Sequence, residues 1–192
     1  LITGSNGLLG QKLLHKLRQD SSVQIIATSK GENRVSIKDG YTYFDLDITD
    51  NDAIAKLISR EKPQVVINTA AMTNVDLCED EKQACDALNV EAVRHLADAC
   101  EKIDSHLIQI STDFIFDGED GPYKEEDEPN PLSYYGLSKL KSEQVLQAHS
   151  VKWTILRTII VFGVGEKLIK GNIVLWAKGA LEKGDPLNII DD

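Results

Sequence analysis

Tyr135 and Lys139 stand four residues apart and carry a phenol and an ammonium group. In a helix, positions i and i+4 share one face, with Cβ atoms about 5 to 6 Å apart, so these groups can act as a pair. An isolated tyrosine has a pKa of about 10, and a nearby cation lowers that value toward neutral pH. We therefore predict that Tyr135 transfers a proton and that Lys139 lowers its pKa.

A hydroxyl group is expected beside this pair. Ser111 and Thr112 follow the apolar run Leu107–Ile110, which is typical of a buried strand, so either hydroxyl can meet the substrate oxygen that the phenol meets. A tyrosine and a lysine at this spacing are common by chance. Their position after a glycine turn and a strand-terminal hydroxyl is what favours a shared role at one carbonyl group.

Three glycines, Gly4, Gly7 and Gly10, open the chain as G-x-x-G-x-x-G between a strand remnant and an amphipathic helix. A glycine turn lets a pyrophosphate approach the backbone, and the helix behind it offers free N–H groups. We predict a dinucleotide site that also includes Leu8 and Leu9. A tight turn that binds nothing is the alternative, because glycine spacing alone is weak evidence.

The second predicted strand leads into Thr28, Ser29 and Lys30, where folds that prefer NADH usually carry an acidic residue. Hydroxyls and a cation, helped by Arg34, suit a 2′-phosphate better than a carboxylate would. The sequence therefore favours NADPH as cofactor and leaves NADH open.

Two further segments are predicted to contact the cofactor. Asp47 and Ile48 follow the third predicted strand and can hold adenine by a hydrogen bond and an apolar contact. Small residues, including Ala70 and Ala71, follow the strand at 65–67 and leave room for a ligand at the carboxyl end of a sheet. Plain close packing is the alternative for these alanines.

Short β-branched runs alternate with helical stretches, which predicts an α/β fold of the Rossmann type, with a doubly wound parallel sheet. Apolar residues four apart predict helix faces at Leu9–Leu17 and Ala84–Cys100, and Asp117–Pro131 is expected to be an exposed loop. The predicted strands are Val23–Ala27, Tyr41–Phe44, Gln64–Ile67, Leu107–Ile110 and Thr154–Leu156.

We expect a dinucleotide-binding domain over residues 1–157 and the start of a smaller substrate-binding part over 158–192. The latter holds a predicted helix at Asn172–Glu182 and the apolar stretch Leu187–Ile190. Only two residues precede Thr3, and the chain stops at Asp192 soon after new elements begin. Both ends therefore look cut, and a C-terminal remainder is expected to be missing.

Composition narrows the class of protein. The 192 residues carry a net charge of −10, which opposes binding to nucleic acid or anionic lipid. No run of about 18 apolar residues predicts a membrane span, so a cytoplasmic location is expected. The three cysteines and four histidines lack paired spacing, so we expect reduced structural thiols and no metal site.

Three strings resemble the extended short-chain dehydrogenase/reductase family over essentially all 192 residues. They are the segments 72–76 (MTNVD), 111–118 (STDFIFDG) and 131–139 (PLSYYGLSK). The closest resemblance is to the branch that reduces dTDP-4-keto-6-deoxysugars. Related dehydratases carry glutamate where this chain has Phe114, and that difference counts against elimination of water.

The resemblance implies a role for each matched residue. Tyr135 is the proton donor, Lys139 orients the nicotinamide ribose, and Thr112 hydrogen-bonds the sugar oxygen. Val75 and Asp113 contact the substrate. Cofactor contacts are implied for the glycine turn, for Ser29, Lys30, Asp47 and Ile48, and for the segment Ala70, Ala71 and Met72.

One departure leaves the sugar open. The family often has a tryptophan where this chain has Ile160. The implied activity is NADPH-dependent reduction of the C4 ketone of a dTDP-4-keto-6-deoxysugar. A reductase or epimerase of another nucleotide sugar is one alternative, and a non-catalytic regulatory subunit, like the beta subunit of methionine adenosyltransferase, is another. The oligomeric state is not fixed, and a homodimer is one option.

Overall fold

A computed structural model describes residues 1–169 and 171–187. Its centre is a six-stranded sheet in the order β3-β2-β1-β4-β5-β6, in which every neighbouring pair is parallel. The strands are β1 Ile2–Thr3, β2 Ile26–Ser29, β3 Thr42–Asp45, β4 Val65–Asn68, β5 His106–Thr112 and β6 Lys152–Thr158.

Seven α-helices occupy the described residues. They are α1 Leu8–Leu17, α2 Asn51–Glu61, α3 Val75–Asp80, α4 Lys82–Asp86, α5 Ala92–Glu101, α6 Tyr134–Gln147 and α7 Ile173–Lys183. A π-helical turn, Ala87–Glu91, joins α4 to α5, and a 3-10 turn, Asp113–Ile115, follows β5.

The strand order reverses between β1 and β4, because the chain winds outward from β1 in both directions. This is the Rossmann arrangement, so the predicted fold class is confirmed. In such a sheet, ligands bind outside the carboxyl ends of the strands at the reversal point. The predicted strands for β3 and β4 are correct to within one residue, and β5 and β6 are each seven residues long and exceed the predicted segments at both ends. The predicted strand Val23–Ala27 is misplaced, because β2 begins at Ile26 and ends at Ser29.

The helix face predicted over Ala84–Cys100 is only partly correct. The π-helical turn inserts an extra residue into one turn and rotates the preceding residues about the helix axis. Ala84 is therefore exposed, whereas Leu96 and Cys100 are fully buried in the larger apolar cluster, which packs α2 and α5 against β4 and β5. The apolar period held only on the C-terminal side of the turn.

The remaining connections agree with the sequence patterns. The chain from Asp117 to Pro131 contains no strand and no α-helix, and Asn172 caps α7 by accepting a hydrogen bond from the Leu175 amide. Of the apolar stretch Leu187–Ile190, residues 188–190 lie outside the described part of the chain. None of the helices in residues 1–169 and 171–187 combines the length and the apolar character needed to cross a membrane.

Candidate active site

A cavity of about 980 Å³ opens along the carboxyl ends of the strands. Each of the six strands contributes a residue that ends it or follows it. The predicted site residues that line this cavity are Gly4, Gly7, Leu8, Leu9, Gly10, Ser29, Lys30, Asp47, Ile48, Ala70, Ala71, Val75, Thr112, Asp113, Tyr135 and Lys139. The fold therefore brings together residues predicted from well-separated parts of the chain.

Met72 is the predicted cofactor residue that does not line the cavity. Its backbone N–H donates to Asn89 Oδ1 at 2.8 Å, and Asn89 Nδ2 donates to the Met72 carbonyl at 3.0 Å. This double contact fixes the loop after β4 to the π-helical turn. Met72 thus anchors the loop, while Ala70 and Ala71 form the cavity wall.

The glycine turn has steric reasons for two of its glycines. Gly4 has φ +64°, and a Cβ there would lie 2.8 Å from the Ala70 amide nitrogen; a Cβ at Gly10 would lie 2.4 Å from the Gly4 carbonyl oxygen. Gly7 is the N-cap of α1 and offers no side-chain cap. The first N–H groups of α1 therefore remain available to an anion in the cavity.

At the β2–β3 end of the cavity, Lys30 and Asp47 contact each other. Lys30 Nζ lies 2.6 Å from Asp47 Oδ2, and this contact, together with the Thr49 amide, lowers the pKa of Asp47 to about 2. Each residue was predicted to contact a different part of the cofactor. In the structure the ammonium already has a carboxylate partner, so the two side chains act as one unit at the cavity edge.

Arg34 supplies a second cation at this end. It lines the cavity, and its backbone N–H donates to Asn6 Oδ1 at 2.9 Å. Asn6 Nδ2 in turn donates to the Glu32 carbonyl at 2.8 Å. Asn6, which lies within the glycine turn, therefore fixes the loop that presents Arg34.

Lys139 lies on α6 on the cavity wall and is almost fully buried, with 3% of its surface exposed. Its Nζ donates to the Ile110 carbonyl on β5 at 2.7 Å. Burial lowers the pKa of Lys139 to about 8, and attraction to Glu143 opposes that change. The ammonium is therefore anchored at the end of β5.

Tyr135 does not behave as the sequence predicted. Burial raises the pKa of its phenol above the usual value, and a hydrogen bond with Thr112 only partly offsets the rise. Lys139 is not among the largest influences on this pKa, and its ammonium donates to the Ile110 carbonyl. The prediction that Lys139 lowers the pKa of Tyr135 is wrong for this structure.

Close packing holds the phenol beside Thr112. The Phe114 ring meets the Tyr135 ring edge to face, with centroids 5.9 Å apart. A Cβ on Gly136 would lie 2.2 Å from the Phe114 carbonyl oxygen, so only glycine lets α6 approach the 3-10 turn this closely. Gly136, the next residue after Tyr135, thereby sets the distance of the phenol from β5.

The structure distinguishes between the two hydroxyls at the end of β5. Ser111 also lines the cavity, but its Oγ donates to the buried carboxylate of Glu143 at 2.5 Å, so its single proton is already used. Thr112 Oγ1 donates to Asp113 Oδ1 at 3.0 Å and accepts from the Phe114 amide at 3.2 Å, and Thr112 lines the cavity next to Tyr135. Thr112 is the hydroxyl that can meet a substrate oxygen.

Sequence reasoning missed Asn89, of whose surface 1% is exposed. Besides Met72, its Nδ2 contacts Ser138 Oγ at 2.9 Å, immediately before Lys139 on α6. Asn89 therefore ties the loop after β4 to the helix that carries the proton-transfer pair. A polar residue within an apolar helical stripe was the signal that could have revealed it.

Ile160, where the family often has tryptophan, lines the cavity and has 58% of its surface exposed. It belongs to an apolar segment after β6 that forms one wall. This segment is fastened to α1, because Gln11 Nε2 donates to the Glu166 carbonyl at 2.8 Å and the Glu166 amide donates to Gln11 Oε1 at 2.7 Å.

In residues 1–169 and 171–187, no three histidine, cysteine, aspartate or glutamate side chains are grouped so that they could hold a metal ion. Hydroxyl, ammonium and backbone N–H groups line the cavity.

Comparison with known proteins gives a consistent family. A family model described as the RmlD substrate binding domain matches residues 1–192. A dTDP-4-dehydrorhamnose reductase from Aggregatibacter actinomycetemcomitans is 38% identical over 172 residues, which are 88% of this chain and 54% of that protein. Methionine adenosyltransferase 2 subunit beta from Bos taurus is 33% identical over 91% of this chain and 50% of its own length. The chain thus spans about half the length of these curated relatives.

Solved structures agree with the sequence comparison. A hypothetical dTDP-4-dehydrorhamnose reductase from Sulfolobus tokodaii superposes with a TM-score of 0.80 at 39% identity, over 97% of this chain and 62% of that chain. The dTDP-4-dehydrorhamnose reductase from Bacillus anthracis, solved in complex with NADP, has a TM-score of 0.77 at 28% identity, over 95% of this chain and 59% of that chain.

Proposed function

The chain belongs to the RmlD substrate binding domain family, a branch of the extended short-chain dehydrogenase/reductases, and we propose that its protein reduces the C4 ketone of a dTDP-4-keto-6-deoxysugar with NADPH. The family expected from the three sequence strings is confirmed. The observation that carries the proposal is that Thr112, Tyr135 and Lys139 line one cavity with the glycine turn.

The residues present fit a dinucleotide. Gly4 and Gly10 keep the turn free of side chains, and the uncapped start of α1 leaves N–H groups for a pyrophosphate. Ala70 and Ala71 leave room along the middle of the cavity, and Lys139 would hold the nicotinamide ribose. NADPH would supply the hydride that the protein itself cannot provide.

NADPH is favoured over NADH by the side chains at the β2–β3 end. Ser29, Lys30 and Arg34 line the cavity there, so a 2′-phosphate would meet a hydroxyl and two cations. Asp47 neutralises Lys30 in part and leaves Arg34 as the cation that no carboxylate of the described residues contacts. Use of NADH is the alternative.

Tyr135 would act as the proton donor. Reduction of a ketone places negative charge on its oxygen, and a positioned acid at that point contributes a factor of about 10² to 10⁴ in rate. Because burial raises the pKa of the phenol, Tyr135 holds its proton at neutral pH. Thr112 would donate a second hydrogen bond to the same oxygen by turning its hydroxyl proton from Asp113 to the substrate.

The substrate end of the cavity is proposed to include Val75 and Asp113, with Phe114 as an apolar wall beside the phenol. A phenyl ring cannot act as an acid or base, which favours reduction over loss of water. Residues from 158 onward are proposed to begin the substrate-binding part, since Ile160 and its neighbours line this end.

The Tyr135→Phe variant of the full-length protein tests the assignment. We expect NADPH binding to be kept and sugar reduction to fall by about 10² or more, because the ring is retained and the proton is lost. Turnover is followed by loss of NADPH absorbance with a dTDP-4-keto-6-deoxysugar. Near-normal turnover by this variant would refute the assignment of Tyr135.

A regulatory subunit is the second candidate, because methionine adenosyltransferase 2 subunit beta is among the relatives. Co-purification with a synthetase, together with no NADPH oxidation on any nucleotide sugar, would favour it. Indifference to dTDP-linked sugars with activity on another nucleotide sugar would instead favour a related reductase or epimerase.

A further inference from the structure

Glu143 is a buried charge that the proposed chemistry does not use directly. It lies on α6, and 1% of its surface is exposed. Arg157 on β6 approaches both of its carboxylate oxygens, with Nη2 at 2.8 Å from Oε2 and Nε at 3.1 Å from Oε1. Ser111 Oγ donates to the same carboxylate at 2.5 Å. The buried Glu143 carboxylate therefore has hydrogen-bond partners on both of its oxygens.

This group of residues touches both supports of the active site. Ser111 immediately precedes Thr112 on β5. Glu143 lies four residues after Lys139 and so shares its face of α6. A change at Glu143 would therefore reach the hydroxyl through β5 and the ammonium through α6, although Glu143 is absent from the cavity wall.

Arg157 extends the group to the acidic loop between the 3-10 turn and α6. Its Nη1 donates to the Glu125 carbonyl at 2.9 Å, and its guanidinium lies 5.4 Å from the centre of the Phe116 ring. β5, β6, α6 and the loop thus meet at one ion pair. Of the two side chains in this pair, Glu143 is 1% exposed and Arg157 is 20% exposed.

Electrostatics adds a second effect to the geometry. The titratable groups that act on the Lys139 ammonium are the Glu143 carboxylate, from its own helix, and the Cys85 thiol, from α4. Tyr135 and Asp113 line the cavity together with Lys139, and Arg157 contacts Glu143. Burial lowers the pKa of Lys139 to about 8, and the Glu143 charge opposes a further fall.

We propose that Glu143 and Arg157 are a positioning pair, in which Glu143 holds Thr112 in place through Ser111 and sets its carboxylate one helical turn from the Lys139 ammonium that would hold the nicotinamide ribose. This inference rests on the proposed function, because it assumes that Lys139 contacts the cofactor. It adds two residues, neither of which touches substrate or cofactor, to the requirements of the reaction.

The test separates charge from fold in the full-length protein. Glu143→Gln alone leaves the partly buried Arg157 guanidinium without its carboxylate partner and should lower stability. The double variant E143Q/R157Q removes both charges, so its unfolding midpoint should recover toward that of the natural protein. The matched control is E91Q/R94Q, since Glu91 and Arg94 form an exposed pair with Nε–Oε2 at 3.2 Å.

The decisive readout is NADPH affinity against pH, measured by fluorescence titration. An opposite charge within about 4 to 6 Å shifts a pKa by about one unit or more. Removing the Glu143 carboxylate should therefore move the loss of NADPH affinity at alkaline pH down by about one pH unit. The double variant should bind almost as tightly as the natural protein near pH 6.5 and up to about tenfold more weakly near pH 8.5. The control pair should follow the natural profile.

Each outcome decides a separate point. If the pH profile of NADPH affinity is the same for E143Q/R157Q and the natural protein, Glu143 has only a structural role and the inference is overturned, while the proposed function stands. If the natural protein binds NADPH but reduces no sugar, the proposed substrate fails and the binding profile still judges Glu143. If the natural protein does not bind NADPH at any pH, both proposals fall together.

Discussion

Gly136 offers a sharp test of how the active site is assembled. In an exposed helix interior, glycine to alanine stabilises a protein by about 1 kcal/mol, because alanine loses less backbone freedom. At Gly136 the added Cβ would lie 2.2 Å from the Phe114 carbonyl oxygen and 3.1 Å from the Pro131 Cβ. Helix α6 at position 136 and the Phe114 carbonyl must therefore move apart by about 1.2 Å for the new Cβ to reach an ordinary contact of 3.4 Å.

The change in the free energy of unfolding is the balance between the gain in helix propensity and the cost of this close contact. Overpacking of this kind costs about 1 to 3 kcal/mol, which exceeds the gain in helix propensity. We therefore expect Gly136→Ala to lower the free energy of unfolding by up to about 2 kcal/mol. The same displacement moves Tyr135 away from Thr112, and a misplacement of about 1 Å can cost about 10² in turnover.

Gly179 on α7 is the matched control, because nothing lies within 4 Å of the Cβ that it would gain. Gly179→Ala should raise the free energy of unfolding by about 0.5 to 1 kcal/mol. Denaturant unfolding of both variants, with turnover of NADPH, measures the contrast. If Gly136→Ala matched Gly179→Ala in stability and kept full turnover, the close approach of α6 to the 3-10 turn would be refuted.

Two further predictions concern the edges of the cavity. The folded-state pKa of Asp47 is below its ordinary value of 3.8, so its stabilising contribution is present above about pH 4 and is lost as pH falls toward about 2. The stability advantage of the natural protein over Asp47→Asn should therefore shrink between about pH 4 and pH 2, and a pH-independent difference would contradict the Lys30 contact. Gln11→Ala removes the two hydrogen bonds to the Glu166 backbone, so the Glu166 amide should exchange faster and NADPH should dissociate faster, as hydrogen exchange and stopped-flow displacement would measure. Unchanged protection of that amide would show that Gln11 does not fasten the segment.

The parts of the site that could be predicted are those set by short-range spacing. The β-branched runs predicted the strands of the sheet, and the apolar residues four apart predicted its helices. The four-residue interval placed Tyr135 and Lys139 on one face of α6. The Lys30–Asp47 contact joins residues 17 apart that follow adjacent strands, with Ser29 opposite Asp45 in the parallel register. Such a contact requires the strand order and the register together, and neither can be read from the local pattern.

The failed prediction for Tyr135 shows what spacing cannot decide. Sharing a helix face brings two side chains near each other but does not direct the end of a lysine, which has four flexible bonds. Here the Lys139 ammonium donates to the Ile110 carbonyl, because a buried N–H must find an acceptor, and the phenol is left to the effect of burial. Because the Lys139 ammonium is held by this carbonyl, burial of the phenol determines the direction in which the pKa of Tyr135 moves. The consequence is chemical, because a phenol that keeps its proton is ready to donate to an alkoxide, which favours reduction of a ketone over oxidation of an alcohol.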